Sequence, residues 1–360
     1  MTERMRALTW MMAVAVLGTV GAGQARASGG LFWQFHDTGL ASHSPHTAIG
    51  LNNGMAWPVV FEADGEVYRL LATPNPLTGT NWRQVASHAP MMSPIVAKSS
   101  PDGRVAAFSP DGMGGVVVAN TDGSFSQLGY QAAAFAPDGS LRLASGDQIV
   151  GLGEYGGGGD ILDMAVAPDG TIGVINDMGE YWEYRFGAWS EQGKYLSDFG
   201  PPVDYVSARL AFDELAQPHI AYLDTNAQPQ VFTADFDIVS GLWSVTTHGE
   251  ARGVLAIAGT DLGGGALGIA YVDSNNLELT YEYFDTATGL WTADTVVASG
   301  LLDQFQSVGL AFDHAGLPVI SYVQGSGYWL AYDPIVVPEP ASVVLLGVLA
   351  AGLTRRRRAA

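Results

Sequence analysis

The 360-residue chain contains no cysteine, which excludes a disulfide framework and any thiolate-ligated metal centre. A chain this long can bury a core large enough to dispense with disulfides even outside the cell. Cations are scarce as well. Between Ser28 and Val337 nine Arg and Lys stand against 34 Asp and Glu, a net charge of −25 compared with −20 for the whole chain. Phosphate backbones are bound by clustered cations, so nucleic acid is excluded as a partner. Charged residues of both signs make up only 14% of the sequence. The apolar runs near the two ends, 8–22 and 342–354, both fall short of the roughly 20 residues that cross a relaxed bilayer as a helix.

What the sequence has instead is glycine, 46 of them, with 48% hydrophobic residues and 10% aromatic residues. That composition suits many short strands joined by tight turns. It is also repetitive. Ala211-Phe212-Asp213 leads to Pro218-His219-Ile220-Ala221-Tyr222-Leu223-Asp224. Gly268-Ile269-Ala270-Tyr271-Val272-Asp273 follows, and Ala311-Phe312-Asp313 with Pro318-Val319-Ile320-Ser321-Tyr322-Val323 closes the series. Tyr222, Tyr271 and Tyr322 are 49 and 51 residues apart. Periods of that size belong to arrays whose units each have an apolar face that only a neighbour can cover.

Each unit reads as four strands. In one these are Arg209 to Asp213, Pro218 to Asp224, Gln230 to Asp237 and Leu242 to Thr247. In the next, Leu277, Leu279, Tyr281 and Tyr283 alternate with Glu278, Thr280 and Glu282, the period-two pattern of a half-buried strand. The pair Phe61 and Trp82 repeats the spacing of Tyr222 and Trp243, so residues 47–88 form another copy. Ser100-Pro101-Asp102-Gly103, Ser109-Pro110-Asp111-Gly112, Ala136-Pro137-Asp138-Gly139 and Ala167-Pro168-Asp169-Gly170 mark hairpins between 93 and 197. Proline pre-sets φ, aspartate bonds back to the backbone and glycine takes the left-handed position. These motifs resemble the Pro-Asp-Gly repeats of bacterial β-propellers.

The expected fold is therefore all-β, a propeller of about seven four-stranded blades over 28–334, at 47–88, 94–128, 131–155, 161–197, 207–248, 254–299 and 308–333. Six is the alternative if 131–197 is one irregular blade. The last blade shows only three strands before Pro334, and Leu31 to His36 stands alone near the start. Pairing the two would close the ring.

Residues 1–27 have the parts of a secretory signal peptide: Arg4 and Arg6, an apolar run, and Ala25-Arg26-Ala27 as the small-x-small site for signal peptidase. At the other end, over 335–360, Pro338-Glu339-Pro340 precedes the apolar run and then Arg355, Arg356, Arg357 and Arg358. The order and spacing resemble the PEP-CTERM sorting signal. The resemblance implies recognition by an exosortase-type transpeptidase and transient inner-membrane anchoring by the sorting helix. It further implies delivery to the cell envelope, cell surface or extracellular matrix of a Gram-negative bacterium, in association with exopolysaccharide. Independently of the resemblance, a basic cluster beyond an apolar helix holds that end in the cytoplasm.

Candidates for chemistry are few. Asp64, Asp177, Asp224 and Asp273 fall in corresponding loops between second and third strands. A circle of carboxylates round one mouth could hold Ca²⁺. The same residues, in Asp-Thr-Asn, Asp-Ser-Asn and Ala-Asp-Gly, are equally good turn formers, and none of these loops has dense calcium-ligand spacing. Asp213 and Asp313 read as turn residues. His36, His43 and His46 lie in or beside a Pro-containing loop, and His219, His248 and His314 read as strand-edge residues. Trp82, Trp189, Trp243 and Trp291 recur at one place in their units; aromatic platforms bind sugars, but at a repeated position they more often pack between neighbouring blades. Sialidases, a natural comparison among propeller enzymes, need an arginine clamp and an Asp-box spacing that Ser100-Pro101-Asp102-Gly103 does not have. No catalytic, cofactor or metal set stands out. The favoured reading is an exported, non-enzymatic propeller that binds an extracellular polymer. The alternatives are a secreted polysaccharide hydrolase or lyase on the same scaffold, and a purely structural matrix protein.

Overall fold

In the computed structural model the described residues lie between 33 and 332, without the loops at 42–46, 53–56, 65–66, 73–82, 89–94, 111–114, 121–123, 191–192, 200–202, 238–239, 260–265, 293–295, 301–302 and 314–315 or positions 254 and 287. Side chains of the first blade beyond Gly50 are also outside the description. Both terminal segments, 1–32 and 333–360, lie beyond it, and with them the signal-peptide and sorting-signal residues.

The strands assemble into seven separate antiparallel sheets, each with a four-strand path. The fold is a β-propeller. The innermost strands of blades one to seven are Thr47–Asn52, Val96–Ser99, Ala132–Phe135, Ile161–Val166, Val203–Phe212, Ala256–Gly259 and Gly309–Phe312. Each packs against the next, and the last packs against the first, so the ring is closed. Residues 131–197 form two sheets, which decides for seven blades over six. The fourth blade takes an extra strand, Lys194–Tyr195, and the sixth Val296–Ser299. Among the described residues the only helical element is the single 3-10 turn Leu196–Phe199.

The seventh blade is closed as expected, by chain from near the N-terminus. Gly309–Phe312, Pro318–Gln324 and Gly327–Tyr332 receive Gln34–Ala41 as the outermost strand. Gln34 pairs with Tyr332 and His36 with Leu330. The strand begins later than the sequence reading of Leu31 to His36 and runs five residues further. Thr38 Oγ1 reaches Tyr328 O at 2.7 Å, and Thr47 Oγ1 meets Ser321 Oγ at 3.1 Å across the seam between first and last blades.

Antiparallel order gives the ring two faces. One, the turn face, has the hairpins between first and second and between third and fourth strands. The other, the crossing face, has the loops between second and third strands and the passages from blade to blade. Among the described residues, the first hairpins of blades two, three, four, five and seven share one geometry. Gly103, Gly139, Gly170 and Gly316 have φ between 71° and 88°, and Ala216 occupies the same place at 58°. In each, the amide of that residue donates to the carbonyl three back, as in Gly103 to Ser100 at 2.9 Å and Ala216 to Asp213 at 3.1 Å. The aspartate shifts along the turn. Asp138 and Asp169 accept from the amides two residues on, whereas Asp213 and Asp313, at the first position, accept from Gln217 and Leu317 four residues on. Ser109 and Pro110 lead into the loop between second and third strands of blade two, so this fourth Pro-Asp-Gly copy belongs to the other face.

Between blades the core is mostly apolar. The repeated Tyr222, Tyr271 and Tyr322 are buried on second strands. Trp243 packs on Tyr181 of the preceding blade with ring centroids 5.6 Å apart, and Trp189 on Tyr155 at 5.8 Å. Trp82 lies outside the described residues. Close approach at the hub uses glycine. A Cβ on Gly309 would sit 2.4 Å from Ile49 N, and one on Gly259 2.2 Å from Phe212 O, so any larger residue would push innermost strands apart.

Candidate functional site

The innermost strands line a central channel. Its end at the turn face is bounded by residues such as Phe135, Val166, Phe212 and Phe312. The end at the crossing face lies beside Ala48, Ile49, Leu255 and Val308. Most of this wall is small or apolar. Charge interrupts it on three blades, the second, fourth and fifth. Lys98 lies 3.0 Å from Oδ1 of Asp163, which is fully buried, and donates to Leu210 O at 3.1 Å. Asp163 Oδ2 accepts the Leu210 amide at 2.8 Å, and Oδ1 the Met164 amide at 2.8 Å. Arg209 is buried beside them and donates to Ala208 O at 2.7 Å. Burial pulls the Arg209 guanidinium below its usual range, opposed by the charges of Asp163 and Asp204. One carboxylate thus joins the second, fourth and fifth blades at the hub.

The sequence reading missed this cluster. Its signal was a charge set between small or apolar residues in three innermost strands: Ala97-Lys98-Ser99, Leu162-Asp163-Met164 and Ala208-Arg209-Leu210.

A second polar chain crosses from blade five to blade six. His219 Nδ1 lies 2.7 Å from Asp235 Oδ1, and its Nε2 is 3.5 Å from Asp213 Oδ2, an ion-pair distance. Asp235 Oδ2 accepts from Trp291 Nε1 at 2.9 Å and from Thr233 Oγ1 at 3.3 Å. Thr233 Oγ1 is 3.0 Å from His248 Nε2, and His248 Nδ1 is 2.7 Å from Glu282 Oε2. Tyr271 closes the run by donating to Glu282 Oε1 at 2.9 Å while accepting the Gly249 amide at 3.1 Å. Burial alone would lower the His219 pKa, but hydrogen bonds and charge from Asp213 and Asp235 outweigh it and raise the value above the ordinary 6.5. Burial, with Glu282 nearby, pushes the Tyr271 phenol far above its usual range.

This corrects two expectations. His219 is a buried partner of carboxylates, not a strand-edge residue, and His248, on the edge strand of blade five, turns its ring inward to Glu282. Glu282 points into the structure because His248 and Tyr271 supply its partners. Leu277 also departs from the reading, as it precedes the strand at φ 54° and is 36% exposed. His43, His46 and His314 lie outside the described residues.

The proposed ring of carboxylates is on the crossing face, where Asp224 and Asp273 serve their own loops and Asp177 the passage into blade four. Asp224 accepts the amides of Asn226 at 3.4 Å and Gln230 at 3.0 Å and also bonds the Asn226 side chain. Asp273 Oδ1 accepts the amides of Asn275 and Asn276 at 2.8 and 3.1 Å, and Asp177 Oδ1 accepts Asp160 N at 3.0 Å. The Asp64 side chain lies outside the description. Among the described residues no three His, Cys, Asp or Glu stand together in a group able to hold a metal ion.

No protein-family model matches this chain, and neither does any curated protein. Solved structures do. A streptogramin B lyase structure superposes with a TM-score of 0.53 at 9% identity, covering 83% of this chain and 97% of that one. AofleA from Arthrobotrys oligospora gives 0.49 at 10% identity, covering 83% of this chain and 85% of that one. At such low identity the likeness to the lyase speaks for the fold alone. Among the described residues no helix is long and apolar enough to cross a membrane.

Proposed function

We propose that this is an exported propeller, held transiently at the inner membrane by its tail, cut there by an exosortase-type enzyme and released to bind extracellular polysaccharide. The observation that carries this reading is the ordered tail: Pro338-Glu339-Pro340, an apolar run at 342–354 and four arginines at 355–358. Proline resists the helix on both sides of Glu339, which leaves the motif as extended chain open to a processing enzyme. Arg355 to Arg358 keep the distal end cytoplasmic. An apolar run this short makes a poor permanent anchor, which fits a tail that is removed.

The body supports a binding role through its rigidity. A closed ring presents loops from a scaffold that does not reorganise when a ligand arrives. The polymer is met by the crossing face, with its acidic loops at Asp177, Asp224 and Asp273, because the chain leaves toward its tail from the opposite face. Intact-mass measurement on protein recovered from the producing cell's surface tests the processing. Loss of the residues beyond the Pro-Glu-Pro motif is the expected result, and a full-length tail on mature surface protein refutes it. A glycan array run beside a reducing-sugar assay tests the binding. Retention of polymer without turnover is expected, and sugar release would favour the hydrolase or lyase alternative.

A further inference from the structure

The chain leaves the ring at Tyr332, the last residue of the third strand of blade seven, and Gln34 pairs with it. Both ends of the described chain are therefore on the turn face. Nine residues, 333–341, separate Tyr332 from the apolar run, and nine extended residues reach about 30 Å at most. A ring whose tail is inserted in a bilayer must keep its turn face within that distance of the surface.

The same face exposes apolar tips on three adjacent blades. Phe186 forms the hairpin of blade four with Gly187, at φ 56° and 83°, and is 97% exposed. A two-residue hairpin of that type favours Asn-Gly or Gly-Gly, so a bulky aromatic here is both strained and fully wetted, a combination more at home at functional sites. Leu215 is 57% exposed in the first hairpin of blade five, and Arg185 Nη2 joins these two tips by donating to Ala216 O at 3.0 Å. Blades five and six then repeat one loop. Asp237 to Leu242 and Asp285 to Leu290 each place Gly at the fifth position, its amide donating to the aspartate carbonyl at 2.8 Å. Each loop leaves its leucine out, Leu242 at 68% and Leu290 at 65% exposure. The crossing face also exposes apolar residues, Met178, Leu277 and Phe305, but the chain does not depart from that side.

We propose that the turn face of blades four to six is a lipid-docking surface, with Phe186, Leu215, Leu242 and Leu290 entering the interfacial layer of the bilayer that holds the tail. This rests on the reading of the tail as a membrane-inserted segment. Aromatic and leucine side chains are those that partition into that layer. The acidic body repels anionic lipid, so the surface suits zwitterionic headgroups and binds weakly by itself. The tether makes weak binding sufficient, since a short linker holds the face at a high local concentration of lipid. Docking in turn would hold the connector, with Pro338 to Pro340, at the membrane surface.

The test uses the full chain reconstituted into phosphatidylcholine vesicles with and without brominated acyl chains. Phe186→Trp reports on the turn face and Met178→Trp, also at an exposed position, on the crossing face. The fluorescence that each substitution adds to the native background is compared. Bromolipid should quench the Phe186→Trp increment several-fold more than that of Met178→Trp, and Leu242→Ser with Leu290→Ser should reduce the difference. Equal quenching, or none, in protein that floats with the vesicles overturns the docking surface while leaving the inserted tail intact. Protein that does not float with the vesicles overturns the tail reading and the docking surface together. Unchanged thermal melting of each variant shows that the ring itself is preserved.

Discussion

Asp163 shows how much one side chain can hold. Its carboxylate takes Lys98 from blade two and two backbone amides, one its own neighbour's and one from blade five. Replacing it by alanine strands a largely buried ammonium and the Leu210 amide. Loss of one partner from a buried pair costs about 3–5 kcal/mol, so Asp163→Ala should lower stability by roughly that amount in urea denaturation. His219 makes a different, pH-dependent contribution. Because its folded pKa is raised above 6.5, its stabilisation is complete below that ordinary value and is lost as pH rises through the raised one. Asp213 behaves in the opposite sense. Burial opposes its charge, but His219 and the turn amides hold it below 3.8, so its share is present above that value and lost as pH falls through the lowered one. Melting temperatures measured between about pH 5 and about pH 9 should decline on the alkaline side for the natural protein. His219→Gln should be less stable in mild acid and lack that part of the decline. None of these partnerships was legible in sequence, because each joins residues from different strands or blades. The turn role of Asp213, by contrast, was.

At the scale of the element, the hairpins were the most readable parts. Pro-Asp-Gly states its own φ requirement, and the structure places Gly103, Gly139 and Gly170 at positive φ as that chemistry demands. Ala216 fills the same role with a residue that strains there. Ala216→Gly should therefore be neutral to stabilising, by up to about 1 kcal/mol once the unfolded-state entropy of glycine is set against relief of the left-handed strain. Equilibrium unfolding of the pair decides it. The closing strand was legible as a need, since a three-stranded blade and an orphan strand imply one another. Its boundaries were not, because Gln34–Ala41 includes Asp37 and Gly39, which carry little strand signal. Deleting Gln34–Ala41 leaves Gly327–Tyr332 as a bare edge. The variant should lose cooperative unfolding and self-associate, as read by denaturation and light scattering. Retained melting would deny that strand its role as the latch.

For the whole molecule, closure turns seven weak sheets into one cooperative body. Innermost strands touch around the full circle, and glycine at 259 and 309 permits the approach. The net charge of −25 between Ser28 and Val337 works against this compactness through self-repulsion. Raising NaCl from low to moderate concentration should therefore raise the melting temperature, since exposed carboxylates are screened while the buried Lys98–Asp163 pair is not. A fall in melting temperature with salt would mean that exposed ion pairs outweigh the repulsion.

The sequence by itself determined the class of fold, the period, the turn chemistry and the unusual tail, because each is written in local spacing: alternation, x-Pro-Asp-Gly and a run of arginines are properties of neighbours in the chain. Only the tertiary structure decided the blade count, the charged hub and the histidine relay. Those depend on which strands meet across the ring, and burial then selects a histidine or a lysine for the partner it finds in space. The apolar tips belong to this second kind too: Leu242 reads as an ordinary strand residue until the folded ring leaves it, with Leu290, facing outward on the side from which the chain departs.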